Sequence, residues 1–281
     1  MDKKGKQPQT IASVLNTPMT NYNVYYLSKT EQIQYRLLSF VAGGVLGLIF
    51  YGNQFLDDDG LATKATTIGN VVIFVIAGII ACHIIIPILE DRLRDKRKSQ
   101  LTLQFQSFLA AMSVALSAGQ NMTESLNATY QDLKLQYSEK SDIVIEVKEM
   151  LNGIKNGVPI ETMMSFLGDR SGNADIKNFG IVFSMSFRTG GNLKEVVGRT
   201  AEIISEKISI SQEIETTLTS NKTQFLAMMA IPIIMVLMLR LMSSTFAAGF
   251  SKITGIIANT VALILFYIAY KMGMKIMDVK G

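Results

Sequence analysis

Cys82 and His83 stand side by side, and they are the only cysteine and histidine in the 281 residues. That count excludes a disulfide framework, a Cys/His zinc cluster and any Ser-His-Asp triad that leaves histidine for another use. The pair lies inside an apolar run, which favours a small packed thiol and an imidazole bonded to a neighbouring helix over metal ligation. A second candidate for chemistry is "RTGGNLKEVV", Arg188 to Val197, where a double glycine sits between two helical stretches. A phosphate-binding loop would need a lysine and a hydroxyl after its glycines, as in G-x-x-x-x-G-K-[ST], and no such string occurs. Nucleotide hydrolysis is therefore not expected. Chemistry by a metal or a nucleophile is likewise not expected, and no catalytic, cofactor-binding or metal-ligating residue and no cofactor is named.

The remaining question is what the chain positions, and composition answers part of it. Hydrophobic residues make up 48% of the sequence and the mean hydropathy is +0.28, so part of the chain is expected in lipid. The net charge is only +4, and no Arg-rich stretch is interleaved with aromatics, so nucleic acid is not an expected partner. A bilayer core about 30 Å thick needs about 20 apolar residues in helical form. Four stretches approach that length: one from Arg36, one from Thr67 to Leu89, one from Phe225 to about Met242, and one from about Ile253 to Tyr270. No charged-then-apolar leader precedes the first, which makes it an uncleaved anchor. Gly43 and Gly47 in that span form a G-x-x-x-G step suited to close helix packing.

Charge bias orients the spans. Arg92, Arg94, Lys96, Arg97 and Lys98 follow the second span, whereas Asp57, Asp58, Asp59 and a single Lys64 precede it. The middle segment is thus expected to be cytoplasmic. Lys29 and Arg36 near the start, with Lys271, Lys275 and Lys280 near the end, put both termini on the same side. Arg240, near the outer end of the third span, is expected to snorkel to the headgroups. The resulting organisation is a cytoplasmic N-terminal segment (1–35), two transmembrane helices (36–90), a cytoplasmic domain (91–222), and two further transmembrane helices with a short cytoplasmic tail (223–281).

Between about Ser99 and Lys222 the apolar residues recur at helical spacing, and no stretch alternates as a strand would. Phe105, Phe108, Leu109, Met112 and Leu116 form one such face, and Leu193, Val196, Val197, Thr200, Ile204 and Ile208 another. Breaks at Gly119, Ser138, Gly157, Gly172 and Gly191 suggest about six helices. Three of these joints share a pattern: Gly119 before "NMTE", Gly157 before "VPIE" and Gly191 before "NLKE". In each, a glycine closes one helix in the left-handed conformation and a capping residue starts the next, with Glu124, Glu161 or Glu195 reaching back to the cap. Pro159 is expected at a first helical position. From Leu193 to Leu241 the only breakers are Gly198 and Pro232, which predicts one helix of order 70 Å, kinked at Pro232.

Three strings now carry a resemblance: "LTLQFQSFLAAMSVALSAGQNMTESL", "IKNGVPIETMMSFLGDRSGNADIKNF" and "FRTGGNLKEVVGRTAEIISEKISISQEIET". With them the chain, from about Tyr26 onward, resembles the type II secretion system F-domain family, and within it the TadB-like branch of the tight-adherence (type IV) pilus system. The resemblance implies an all-α polytopic membrane protein with four transmembrane helices and one cytoplasmic helical-bundle F domain. It further implies a non-enzymatic platform in the cytoplasmic (inner) membrane that couples a cytoplasmic hexameric secretion ATPase to pilin extraction and fibre assembly. Its implied partners are that ATPase, a second related platform protein (TadC-like), prepilin or pilin subunits and lipid, in a homo- or hetero-oligomer. Expected partner contacts are the joint at Arg188, Gly190, Gly191, Asn192 and Glu195 and the charged helix face of Arg199, Glu202, Glu206 and Lys207. Pro232 and Asn259 are the intramembrane irregularities expected at a pilin groove. The alternative is a membrane signal transducer or transporter subunit. A transporter would call for ionisable groups at several span centres, which here hold His83 and Asn259 but no Asp, Glu or Lys.

Overall fold

The computed structural model describes residues 7–54, 62–242, 249–250 and 252–277. Asp57, Asp58, Asp59 and Lys280, which enter the charge-bias reading, lie outside the described residues. Eight helices are seen among the described residues: α1 (Lys29–Tyr51), α2 (Lys64–Ser117), α3 (Met122–Gln136), α4 (Asp142–Lys155), α5 (Ile160–Ser171), α6 (Ala174–Arg188), α7 (Leu193–Met242) and α8 (Ile253–Met277). The fold is all-α with one departure. Strands β1 (Thr10–Ala12) and β2 (Pro18–Thr20) pair antiparallel, Ile11 opposite Met19, in the polar N-terminal stretch.

Two compact units emerge. The first comprises the chain up to Tyr26 together with Glu90–Ile210, and the second Leu27–Leu89 with the chain from Ser211 onward. Residues 7–26 therefore belong to the same unit as the helical bundle. Helix α1 starts at Lys29, earlier than the apolar stretch itself, because Ser28 and Glu31 close a capping box ahead of it. Helix α2 runs through the basic "EDRLRDKRK" without interruption, since that string holds good helix formers and no breaker. Helix α7 likewise continues from Leu193 to Met242 with Pro232 inside it.

The core of the bundle is the one the periodicity indicates. Leu101, Phe105, Phe108, Leu109 and Met112 of α2 pack with Ile176, Phe179 and Phe183 of α6 and with Val197 and Ile204 of α7. Phe105 meets Phe179 edge-on at 5.5 Å between ring centroids, a favoured aromatic geometry. Leu116, Leu193, Val196 and Ile208 pack at its margin.

The glycine joints have a common geometry. Gly119, Gly157 and Gly190 each have positive φ, and the N–H of the following residue donates to a carbonyl five positions earlier: Gln120 to Ala115, Val158 to Gly153, Gly191 to Ser186. This is the Schellman closure, which satisfies carbonyls that the helix end leaves orphaned. At the third joint the left-handed residue is Gly190 (φ 68°) and not Gly191. The starts of the next helices differ from one another. Asn121 and Glu124 form the full capping box. At the second joint Pro159 is the cap residue itself, and no side chain caps α5, so Glu161 is free to point elsewhere.

In the second unit, four long apolar helices are able to cross a membrane by length and composition. Gly43 and Gly47 of α1 face Ala81 and Ala77 of α2 so closely that an added Cβ would collide with the alanine Cβ in each case. Phe40 and Phe74 stack edge-on beside them, with ring centroids 5.5 Å apart. Small residues at such a crossing let dispersion act along the whole contact, which is what holds helices together where burial in lipid gives no hydrophobic gain.

Candidate functional site

The joint between α6 and α7 is built as a rigid corner. Gly191 N donates to Ser186 O at 2.7 Å, and Thr189 N to Met185 O at 3.1 Å, so two carbonyls at the end of α6 are satisfied across the joint. Across the corner, Glu195 N donates to Asn192 Oδ1 at 3.3 Å. The Glu195 carboxylate accepts from the Asn192 side-chain amide at 3.3 Å instead of from its backbone N–H, which is half of the expected box. A cleft of about 620 Å³ opens beside the corner, lined by Asn192, Lys194, Glu195, Arg199 and Glu202 together with Ser113 and Ser117 of α2. Thus four of the expected contact residues share one polar surface.

The others do not join it. Lys207 donates to both Asp175 carboxylate oxygens of α6, at 2.8 and 3.1 Å, and so holds α7 to α6. Glu206 is exposed. Arg188 lies 3.7 Å from Glu161 of α5, on a second groove of about 510 Å³ lined also by Val14, Phe166, Asp169 and Ile181.

The intramembrane residues are placed as follows. Arg240 Nη1 donates to Leu48 O at 3.1 Å and to Ile49 O, and its Nη2 to Gly52 O. It therefore caps the C-terminus of α1, where helix carbonyls lack partners and the helix dipole favours a cation, instead of snorkelling outward. Asn259 is 9% exposed and donates to Phe50 O of the same helix end at 2.7 Å. Its amide is thus engaged within the unit, and Pro232 is exposed on α7. An apolar cleft of about 590 Å³ does exist in this unit, lined by Gly43, Gly47, Phe50, Ile80, Ile233 and Phe266 among others. Cys82 Sγ donates to Arg36 O at 3.1 Å, in keeping with a packed thiol, while His83 is exposed on α2. Among the described residues, no group of three His, Cys, Asp or Glu is placed to hold a metal ion.

The most developed polar cluster is one that sequence reasoning missed. Glu146 of α4 and Arg170 of α5 are each buried, with side chains 3% exposed. Arg170 donates from Nη2 to Glu146 Oε2 at 2.6 Å and from Nη1 to Oε1 at 3.0 Å, a two-pronged charge-assisted pair. The fully buried Tyr22 donates its hydroxyl to Glu146 Oε1 at 2.9 Å, and its backbone N–H to Arg170 O at 3.1 Å. Arg170 Nη1 also donates to Thr20 O at 2.6 Å. Arg97, paired with Asp142 at 2.7 Å, lies over the Tyr22 ring. Burial pushes the Glu146 carboxyl up from its ordinary value, against the pull of the Arg170 hydrogen bonds and charge. Burial, with the Glu146 charge behind it, pushes the Tyr22 phenol far above its ordinary value. A second contact, Ser13 Oγ to Glu149 Oε1 at 2.7 Å, ties the β1–β2 turn to α4. The cluster clamps the N-terminal hairpin onto α4 and α5. The signal for it in the sequence was a charge on an apolar stripe: Glu146 among Ile143, Val147 and Met150, and Arg170 after Met163 and Leu167.

These features define a class: a multi-pass membrane protein that carries a compact helical domain. Residues 108–241 match the family model of the type II secretion system (T2SS), protein F. The match supports an F domain in that segment and, with the four apolar helices, a membrane platform of a type II secretion or type IV pilus-like machine; proteins of that family are generally non-enzymatic. No curated protein and no solved structure matches the chain.

Proposed function

We propose that this chain is the TadB-like platform of a tight-adherence type IV pilus, set in the cytoplasmic membrane with both termini and the F domain on the cytoplasmic side. It acts there with a hexameric secretion ATPase, a sister platform subunit and pilin subunits, and transmits mechanical work without catalysing a reaction. The observation that carries the reading is the F-domain match over 108–241, a segment that includes the bundle from α3 to α6 and nearly all of α7. The corner at Gly190, Gly191, Asn192 and Glu195, with Arg199 and Glu202 in the adjoining cleft, is the surface offered to the ATPase or sister subunit. A closed Schellman joint and a capped α7 make this a stiff place to receive force, and α7 is one helix from there to Met242. The apolar cleft in the four-span unit is the place offered to a pilin helix, with Ile233 beside Pro232 on its wall. The reading is tested by affinity purification of the chain from mild detergent followed by mass spectrometry. Recovery of a secretion ATPase and a related platform protein is expected. Recovery of a solute-binding protein or a kinase instead would favour the transporter or signal-transducer alternative.

A further inference from the structure

We propose that the groove between α5 and α6 is a docking site for an amphipathic helix of a protein partner that presents one lysine or arginine between apolar side chains. Its floor is Glu161, which is only 8% exposed and whose Oε2 has no hydrogen-bond partner. A buried carboxylate oxygen without a donor is unfavourable, and charged acceptors are the most demanding of all buried polar groups. The protein's own nearby cation does not meet the demand. Arg188 stands 3.7 Å from Glu161 Oε1, beyond hydrogen-bond length, with its side chain 69% exposed. The carboxylate is also released from the task the local sequence suggests for it, because α5 has Pro159 as its cap and no capping box.

The lining of the groove is mixed, with the hydroxyls of Thr162, Ser165 and Ser184 beside three apolar side chains. Phe166 and Val14 stand on one side and Ile181 on the other, and Ile181 is 52% exposed. Beside Ile181, Val182 and Met185 are 48% and 67% exposed, so α6 carries an unpartnered apolar strip next to the acidic floor. Asp169 adds a second carboxylate at the rim, where Lys177 reaches it at 3.2 Å. A carboxylate flanked by Phe166, Val14 and Ile181, with the exposed strip of Val182 and Met185 alongside, calls for a ligand surface that sets a cation among apolar side chains. The groove lies between two helices, and a third helix laid along it would bring side chains at spacings of three and four residues to both walls. Glu161 at the floor, without a hydrogen bond to its Oε2, disfavours a phosphate at that point and favours a cation. Only Arg188 is shared with the joint discussed above, so failure of this proposal would leave the reading of that joint intact, and the reverse.

The test uses the full chain in nanodiscs of zwitterionic lipid and a fluorescent designed peptide: a helix with a leucine stripe interrupted by one arginine. Saturable binding is expected, weakened about tenfold by an arginine-to-glutamate change in the peptide and about tenfold by Glu161→Gln in the protein. Ile181→Asp should weaken binding to a similar extent. Arg188→Gln should tighten it, since the change removes a competing cation, and a purely structural role for Glu161 would not produce that gain. Thermal unfolding of each variant checks that the fold is retained, and Glu161→Gln preserves shape. Equal binding of the arginine and glutamate peptides would overturn the proposal. So would equal binding by wild-type and Glu161→Gln chains, binding no stronger than to empty nanodiscs, or a photocrosslinker at Ile181 that captures only a second copy of this chain.

Discussion

The two units handle their polar atoms in opposite ways. In the bundle, apolar faces turn inward onto one another, and the most buried ion pair is made of two side chains that serve each other: Arg170 meets Glu146, with Arg97 and Asp142 paired in a half-buried position nearby. In the four-span unit the large apolar side chains point outward, as at Ile79 and Ile80 of α2, Met238 and Leu241 of α7, and Leu265 of α8. Two of its polar side chains go to backbone carbonyls of one helix end: Arg240 and Asn259 both serve the end of α1. The difference follows from the solvent each unit is built for. A helix end in water is satisfied by water, so a soluble domain is free to use buried charges on each other. A helix end near hydrocarbon has no water, and a protein donor must take its place.

That contrast is open to experiment, beginning where the effect should be largest. Arg170→Met leaves Glu146 buried without its cation and should cost about 3–5 kcal/mol, read as loss of a cooperative thermal transition and as protease sensitivity of the bundle. Replacing both partners with apolar residues should recover much of that loss. If the double variant is no better than the single one, the pair is not the unit that holds the hairpin down.

Gly190→Val forces a β-branched residue into φ 68° and should cost about 2 kcal/mol. Gly191→Val, whose added Cβ would lie 3.3 Å from Ser186 O without a left-handed backbone, should cost less. Unfolding of the two variants side by side identifies which glycine is the conformational one. On the platform role proposed above, the Gly190 variant should insert in the membrane normally and fail to support fibre assembly in cells.

Arg240→Leu removes the side-chain donor from Leu48 O, Ile49 O and Gly52 O, of which Leu48 O keeps the Gly52 N–H, and should cost about 1–2 kcal/mol, with Asn259→Leu at about 0.6 kcal/mol. Denaturation in detergent micelles, followed by a probe on α1, would measure both. A null result for Arg240 would mean that lipid headgroups or water serve that helix end.

The smallest effect concerns pH. The Tyr22 phenol has a raised pKa in the folded state, whereas in the unfolded chain it ionises near about 10. Its contribution is therefore complete below about pH 10 and is lost as pH rises above that value. Thermal stability between pH 8 and 11 should fall less steeply in Tyr22→Phe than in wild type. An unchanged slope would show that Tyr22 is not the buried phenol the packing describes.

Local chemistry was enough to predict much of this molecule. The apolar stretches of α1, α2, α7 and α8, the helical faces of Phe105 to Met112 and of Leu193 to Ile208, and the glycine joints all rest on patterns a few residues long, which periodicity and turn chemistry report directly. The continuity of α2 through the charged "EDRLRDKRK" rests on the same local chemistry, since that string holds no breaker, whereas its continuity across Pro87 does not. What only the tertiary structure decided was which partner each polar side chain took. Tyr22 and Glu146 are 124 residues apart, and Asn259 and Phe50 are 209 apart. Glu161 keeps a free oxygen because Pro159 took the capping position. Sequence periodicity states that a side chain faces inward, but a hydrogen bond needs its partner within about 3 Å. Distances that short between remote residues exist only once the helices have packed.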